Sequence, residues 1–291
     1  MKKKKNLIIL HLTVFVWGFT GILGKEITVD AVPMVWYRVL IASVTLYIWF
    51  LITKKNLKIS RKQFLYFMAT GGIVAIHWIL FFHAIKVSTV SVAVVCLSAF
   101  TLFTAILEPL IKRQPIFRTD ILVGLLIVIG ILLIFKFETQ YAVGIAFGLT
   151  AAVASSLFAT INSVLVQKSE PSIIGFYELV GALFWVTIYR IFDGSFASVH
   201  FNLSGSDWFF LFILGTVCTS IAYVAGVAVM RTMSAFRTAL ITNLEPIYGV
   251  ILAFIFYGQQ ETMTTGFYLG SAIILAAVFL YPLYKNKKNQ L

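Results

Sequence analysis

Residues 121–135 read ILVGLLIVIGILLIF, without a single ionisable side chain, and runs of the same kind recur along the whole chain. They constrain the fold more than any other feature. A backbone placed in hydrocarbon finds no water, so its N–H and C=O groups must pair within the segment, and a lone apolar run can do this only as a helix. The alternative, a large soluble core, conflicts with the charge content. Only 12% of residues are charged, where a soluble domain carries about 25%. With 60% hydrophobic residues and a mean hydropathy of +0.96, the chain is expected to be an all-α, multi-pass membrane protein.

Spanning the hydrocarbon takes about 20 helical residues. Division at the polar breaks gives ten expected spans: 7–24, 33–53, 63–85, 87–111, 119–136, 141–167, 172–191, 207–230, 235–257 and 264–284. The start, MKKKKNLIILHLTVFVWGFTGILGKE, is basic like a signal peptide. It lacks a small-residue cleavage site, and its apolar run is longer than a secretory core, so it reads as an uncleaved first span.

The distribution of Lys and Arg orients these spans. Of 23 such residues, eighteen fall on the side of the N-terminus, clustered at Lys2–Lys5, 54–62, 112–118, 168, 231–237 and 285–288. Four fall opposite (Lys25, Lys86, Lys136 and Arg190), and Arg38 lies within a span. Basic residues mark cytoplasmic loops, so both termini are expected in the cytoplasm. The same placement excludes nucleic acid as a partner: the net charge of +12 sits in short inter-span loops facing anionic lipid, with no basic-aromatic module. Cys96 and Cys218 lie in apolar runs and suggest neither a disulfide framework nor a metal site.

The halves echo each other. FRTDILVGLLIVIGILLIF (117–135) lies over MTTGFYLGSAIILAAVFLY (263–281), with Gly124 over Gly270. Lys86 aligns with Arg231, Tyr37 with Tyr177, and Arg38 with Glu178. Each half, 1–137 and 138–291, holds five expected spans. An odd number turns the second copy upside down, giving two inverted five-helix repeats, an arrangement suited to alternating access around a midplane site.

The order and spacing of VFVWGF in the first span, YRVLIA in the second, FFHAIKVSTVSVA at the third-to-fourth joint and LEPIYGVILAFIFYGQQETMTTGFYLGSAII near the end resemble the EamA-type drug/metabolite transporter superfamily. The resemblance covers the whole chain. It implies ten helices around a central cavity built mainly by helices one, three, four, six, eight and nine, and export of amino acids or related metabolites across a bacterial inner membrane. The chain departs from a symmetric pattern at Phe100, which stands where the second half has Pro246, so a matching kink in the first half is not expected.

Within ITNLEPIYGV (241–250), Glu245 stands near the middle of an apolar span. A carboxylate there costs several kcal/mol unless it is protonated, paired or wet, which makes Glu245 the leading candidate for binding a substrate amine or a coupling proton. Pro246 removes a backbone donor and is expected to loosen the helix beside it. Asn243 lies on nearly the opposite helix face, so one of the pair is expected to hold a neighbouring helix. Glu108, in the similar ILEPL, falls out of repeat register with Glu245, near Lys112 and Arg113, and is expected to be solvated or paired.

Asn162, Trp17, Trp78 and His77 are further candidates for the binding surface. For Asn162 an interhelical hydrogen bond is the favoured reading, and for the aromatics packing. Arg38 and Glu178 are expected to be structural charges, with Arg38 either snorkelling toward the extracellular interface or holding helix ends together. Small residues in GLTAAVASSLFAT (148–160) permit close helix approach.

No nucleophile–base–orienter set, phosphate-binding loop or HExxH is present, and neither enzymatic activity nor a cofactor is expected. The reading is a secondary-active inner-membrane exporter of small metabolites, with a coupling proton as a possible co-substrate. The alternatives are a channel or receptor-like protein, or an exporter of drugs or nucleosides.

Overall fold

The computed structural model describes residues 2–198 and 203–288, and among the described residues every regular element is helical. Among the described residues eight helices are long and apolar enough to cross a membrane: α1 (Lys4–Glu26), α2 (Ala31–Thr53), α3 (Arg61–Val87), α4 (Val90–Lys112), α6 (Thr139–Leu165), α7 (Pro171–Phe192), α8 (Gly205–Val229) and α9 (Ala235–Glu261). The other two, α5 (Arg118–Phe137) and α10 (Thr265–Lys288), contain the shorter apolar stretches Ile121–Phe137 and Thr265–Ala277.

Helix starts follow local chemistry. Ser60 and Gln63 form a capping box at α3, the Ser60 Oγ accepting from the Gln63 N–H at 3.2 Å and the Ser60 N–H donating to Gln63 Oε1 at 2.9 Å. Thr89, Ser204 and Ser234 cap α4, α8 and α9 through their hydroxyl oxygens.

Among the described residues four of the long helices are interrupted along their length, α1 at Phe19 between Gly18 and Thr20. α4 tightens into a 3₁₀ turn at Leu97–Ala99, and α9 breaks at Asn243–Leu244 before restarting at Glu245. α8 carries a π-helical turn at Thr216–Ile221. The α4 turn corrects the sequence expectation, which allowed no matching irregularity in the first half. Phe100 imposes no break by itself, but the two interruptions face each other, and the Asn243 amide donates to Thr101 Oγ1 across them at 2.5 Å.

α3 is enclosed by α6 and α7, α4 packs on α6 and α9, α1 on α8 and α9, α2 on α7 and α8, and α5 on α10. Glycines permit the closest approaches. A Cβ on Gly71 of α3 would stand 2.2 Å from the Glu178 carbonyl oxygen of α7, and one on Gly130 of α5 would stand 2.7 Å from the Gly270 carbonyl of α10. Leu125, Ile129 and Leu132 of α5 and Phe254 and Ile255 of α9 point outward, the apolar belt a bilayer requires.

Two buried glutamates bind the halves of the chain together reciprocally. Glu261, at the end of α9, accepts from the Val90 and Ser91 N–H groups at the start of α4 (3.2 and 3.0 Å) and pairs with Lys25 at 2.9 Å. Glu108, near the end of α4, accepts from the Ala235 and Phe236 N–H groups at the start of α9 (3.1 and 2.7 Å) and pairs with Lys112 at 2.6 Å. Each carboxylate thus satisfies orphan donors and complements the positive end of the helix it caps. The expected pairing of Glu108 with local lysine is present, but its backbone partners on α9 could not be read from the sequence.

Candidate functional site

A cavity with about 910 Å³ of empty space, its mouth included, lies at the centre of the bundle. Of the candidates from the sequence, Trp17, His77, Trp78, Asn243, Glu245 and Pro246 line it. Its wall reaches Met230 at the end of α8 and Thr238 in the first turn of α9, and it stops short of the opposite ends that carry Lys25, Lys86 and Glu261. Those opposite ends are bonded together: Lys86 Nζ donates to the Ile27 carbonyl, and Asp207 accepts from the Thr28 N–H and hydroxyl, both at 2.7 Å.

Arg38 also lines the cavity, inside the bundle and not at the interface where snorkelling would have taken it. It is 2% exposed, its guanidinium stacks on Trp78 at 4.0 Å from the ring centroid, and its Nε donates to Thr219 Oγ1 at 2.7 Å. The π-turn of α8 sets that acceptor: the Thr219 hydroxyl itself donates to the Leu214 carbonyl one turn back at 2.5 Å. A guanidinium fixed by its Nε and its ring face keeps its terminal N–H groups for a ligand.

Glu245, on the facing helix α9, is buried and among the described residues forms no ion pair or hydrogen bond. Asn243 instead spends its amide on Thr101, so of the two candidates the amide ties helices and the carboxylate is left to the cavity. The break at Asn243–Leu244 relaxes the helical spacing that would have put them on opposite faces. The cavity therefore carries one cation and one carboxylate on different walls, with aromatic surface between them from Trp17, Trp78, Phe81, Phe100, Phe158 and Tyr223.

His77 donates from Nδ1 to the Ala151 carbonyl at 2.8 Å, since a carbonyl can only accept, which leaves Nε2 as an acceptor. Trp78 meets the Tyr223 ring edge-on at 5.8 Å.

Asn162 does not line the cavity and is bonded between helices, as its favoured reading has it. It shares a helix face with Ser155, which does line it, but sits about 10 Å further along α6, where α7 and α8 close over it. Its amide donates to Glu178 Oε2 and to the Tyr223 oxygen, each at 3.1 Å, and Tyr223 donates to Glu178 Oε2 at 2.7 Å. Glu178 is therefore a fully buried junction of α6, α7 and α8. Tyr223 and Thr219 were not singled out in the sequence, where a tyrosine and a threonine in an apolar span carry no distinguishing signal.

A polytopic helical bundle with a closed-ended, charged and aromatic cavity has the form of a membrane carrier. The chain belongs to the EamA-like transporter family, whose profile matches residues 4–136 and 142–282. It is 24% identical over 280 residues to an uncharacterized transporter of Archaeoglobus fulgidus, an alignment covering 95% of this chain and 98% of that one. A solved crystal structure, 14% identical in sequence, has the same fold, with a TM-score of 0.69 over 96% of this chain and 98% of that chain.

Proposed function

We propose that the protein is a secondary-active exporter of amino acids or closely related zwitterionic metabolites in the inner (plasma) membrane. Ten spans, arranged as two inverted five-helix repeats (1–137 and 138–291) with both termini in the cytoplasm, rock around the cavity. The observation that carries the substrate class is the pair Arg38 and Glu245: opposite charges on facing walls of one cavity, neither bonded to the other. A ligand bearing both a carboxylate and an ammonium satisfies both at once, and the aromatic surface between them suits an apolar side chain.

The repeat is supported by the reciprocal glutamate clamps, by helix interruptions at matching positions of α4 and α9, and by the packing of α3 on α6 and α7 against that of α8 on α1 and α2. On the proposed topology the cavity lies toward the cytoplasmic ends, and the Lys25–Glu261 end is the sealed outer face.

Efflux of labelled amino acids from proteoliposomes under an imposed pH gradient tests this for wild type and Glu245→Gln. Wild type is expected to move substrate, and a folded Glu245→Gln protein to lose at least tenfold in rate. Equal rates would remove Glu245 from the binding site. Absence of flux for every amino acid would overturn the substrate class and direct the search to drugs and nucleosides.

A further inference from the structure

Glu178 is a buried carboxylate that the cavity does not use. It is 0% exposed, and among the described residues no cation pairs with it. Its Oε2 receives Tyr223 and Asn162, but its Oε1 meets no donor, and neither does the amide oxygen of its partner Asn162. The helices packed on α7 supply no other donor. His77 of α3 donates to Ala151, Arg38 of α2 donates its Nε to Thr219 and turns to the cavity, Tyr223 of α8 is already bonded, and the unpaired Ser43 hydroxyl of α2 and Thr160 hydroxyl of α6 make no bond to it.

The cluster is thus short of one hydrogen. Turning the Asn162 amide over does not help, because it sets oxygen against oxygen at Oε2 and at Tyr223 and only relocates the deficit. One proton on the Glu178 carboxyl removes it, since the acid O–H supplies the donor that Asn162 Oδ1 lacks. The same proton removes a charge from a fully buried site where, among the described residues, no cation pairs with it.

The cluster also touches the cavity. Tyr223 presents its ring to the cavity wall against Trp78, on which Arg38 stacks, while its hydroxyl points away from the cavity onto Glu178. We propose that Glu178 is a proton-binding site distinct from the substrate cavity, occupied in this conformation, with Tyr223 as its connection to cavity water. When the Tyr223 hydroxyl turns into the cavity, water reaches the carboxyl and accepts the Oε1 proton; the acid O–H bond breaks, the proton leaves on that water as hydronium, and Glu178 is left as the carboxylate. The link to transport rests on the exporter reading; the proton on Glu178 does not.

Infrared difference spectroscopy of the full chain in detergent reads the proton directly, through the C=O stretch of a protonated carboxylic acid at neutral pH. A component of that band is expected to vanish in Glu178→Gln and to persist in Glu245→Gln. In Tyr223→Phe, which keeps the ring and loses the hydroxyl, the component is expected to persist but move to higher frequency. A band untouched by Glu178→Gln, or unmoved by Tyr223→Phe, would overturn the proposal.

In proteoliposomes, Glu178→Gln is expected to retain flux at acidic pH and lose its pH dependence. An unchanged pH profile would overturn the coupling to transport. No flux from wild type would refute the exporter reading while leaving the infrared result to decide the proton site.

Discussion

Replacing Glu261 with alanine removes the acceptor of two backbone N–H groups and one ammonium. The Val90 and Ser91 donors are buried at the first turn of α4, and each bond to the carboxylate is charge-assisted. Such bonds contribute about 1.5–3 kcal/mol each, so the two together account for about 3–6 kcal/mol. The Lys25 partner counts for much less. Its side chain is 28% exposed and keeps the face of Tyr257 at 3.8 Å, so the pair is expected to contribute about 1 kcal/mol or less.

Reversible unfolding in mixed micelles, by titration with a denaturing detergent, therefore separates the two contributions. Glu261→Ala is expected to cost several times more than Lys25→Met. Glu108→Ala, which strips the equivalent donors of Ala235 and Phe236, is expected to cost as much as Glu261→Ala and to add to it, because the two clamps share no partner. A Lys25→Met loss equal to that of Glu261→Ala would refute the reasoning, since the ion pair, and not helix capping, would then be the main bond.

Gly71→Ala is expected to destabilise the same unfolding transition by about 1–3 kcal/mol, because both atoms its Cβ would strike, the Glu178 oxygen at 2.2 Å and the Ala182 nitrogen at 2.8 Å, are backbone. Gly205→Ala, with nothing within 4 Å, serves as the control and is expected to be neutral; equal effects would refute the close packing of α3 on α7. Arg38→Lys is expected to weaken binding of a labelled amino acid to purified protein by about tenfold or more, because a lysine keeps the charge but loses the stack on Trp78 and the Nε bond to Thr219. Unchanged affinity would remove the guanidinium from the site.

The helical, membrane-embedded character of the chain was legible because lipid imposes a rule on every residue of a span, and a run such as 121–135 obeys it visibly. Glu245 stood out for the same reason, as a carboxylate where a charge is expensive. What depth along a span does not convey is rotation about the helix axis or the identity of the facing side chain. Arg38 was thereby placed at the interface or among helix ends, although Trp78 and Thr219, the two residues that hold it inside, come from α3 and α8. Asn162 had a legible polarity but no legible partner. The 3₁₀ turn at Leu97–Ala99 left no mark at all, because neither proline nor glycine lies within it and its companion, the Asn243–Thr101 bond, joins residues 142 positions apart.

The crossed glutamate clamps bear on how the chain is made as well as on how it is held. Synthesis delivers α4 with its first N–H groups bare, and their acceptor arrives only with Glu261, after five further helices have followed it. α3 likewise waits for α6 and α7 to cover it, and Gly130 for Gly270. A nascent chain halted after the fifth helix therefore holds its longest unsatisfied surfaces against lipid or chaperone, and the native bundle closes only as the last helices are released.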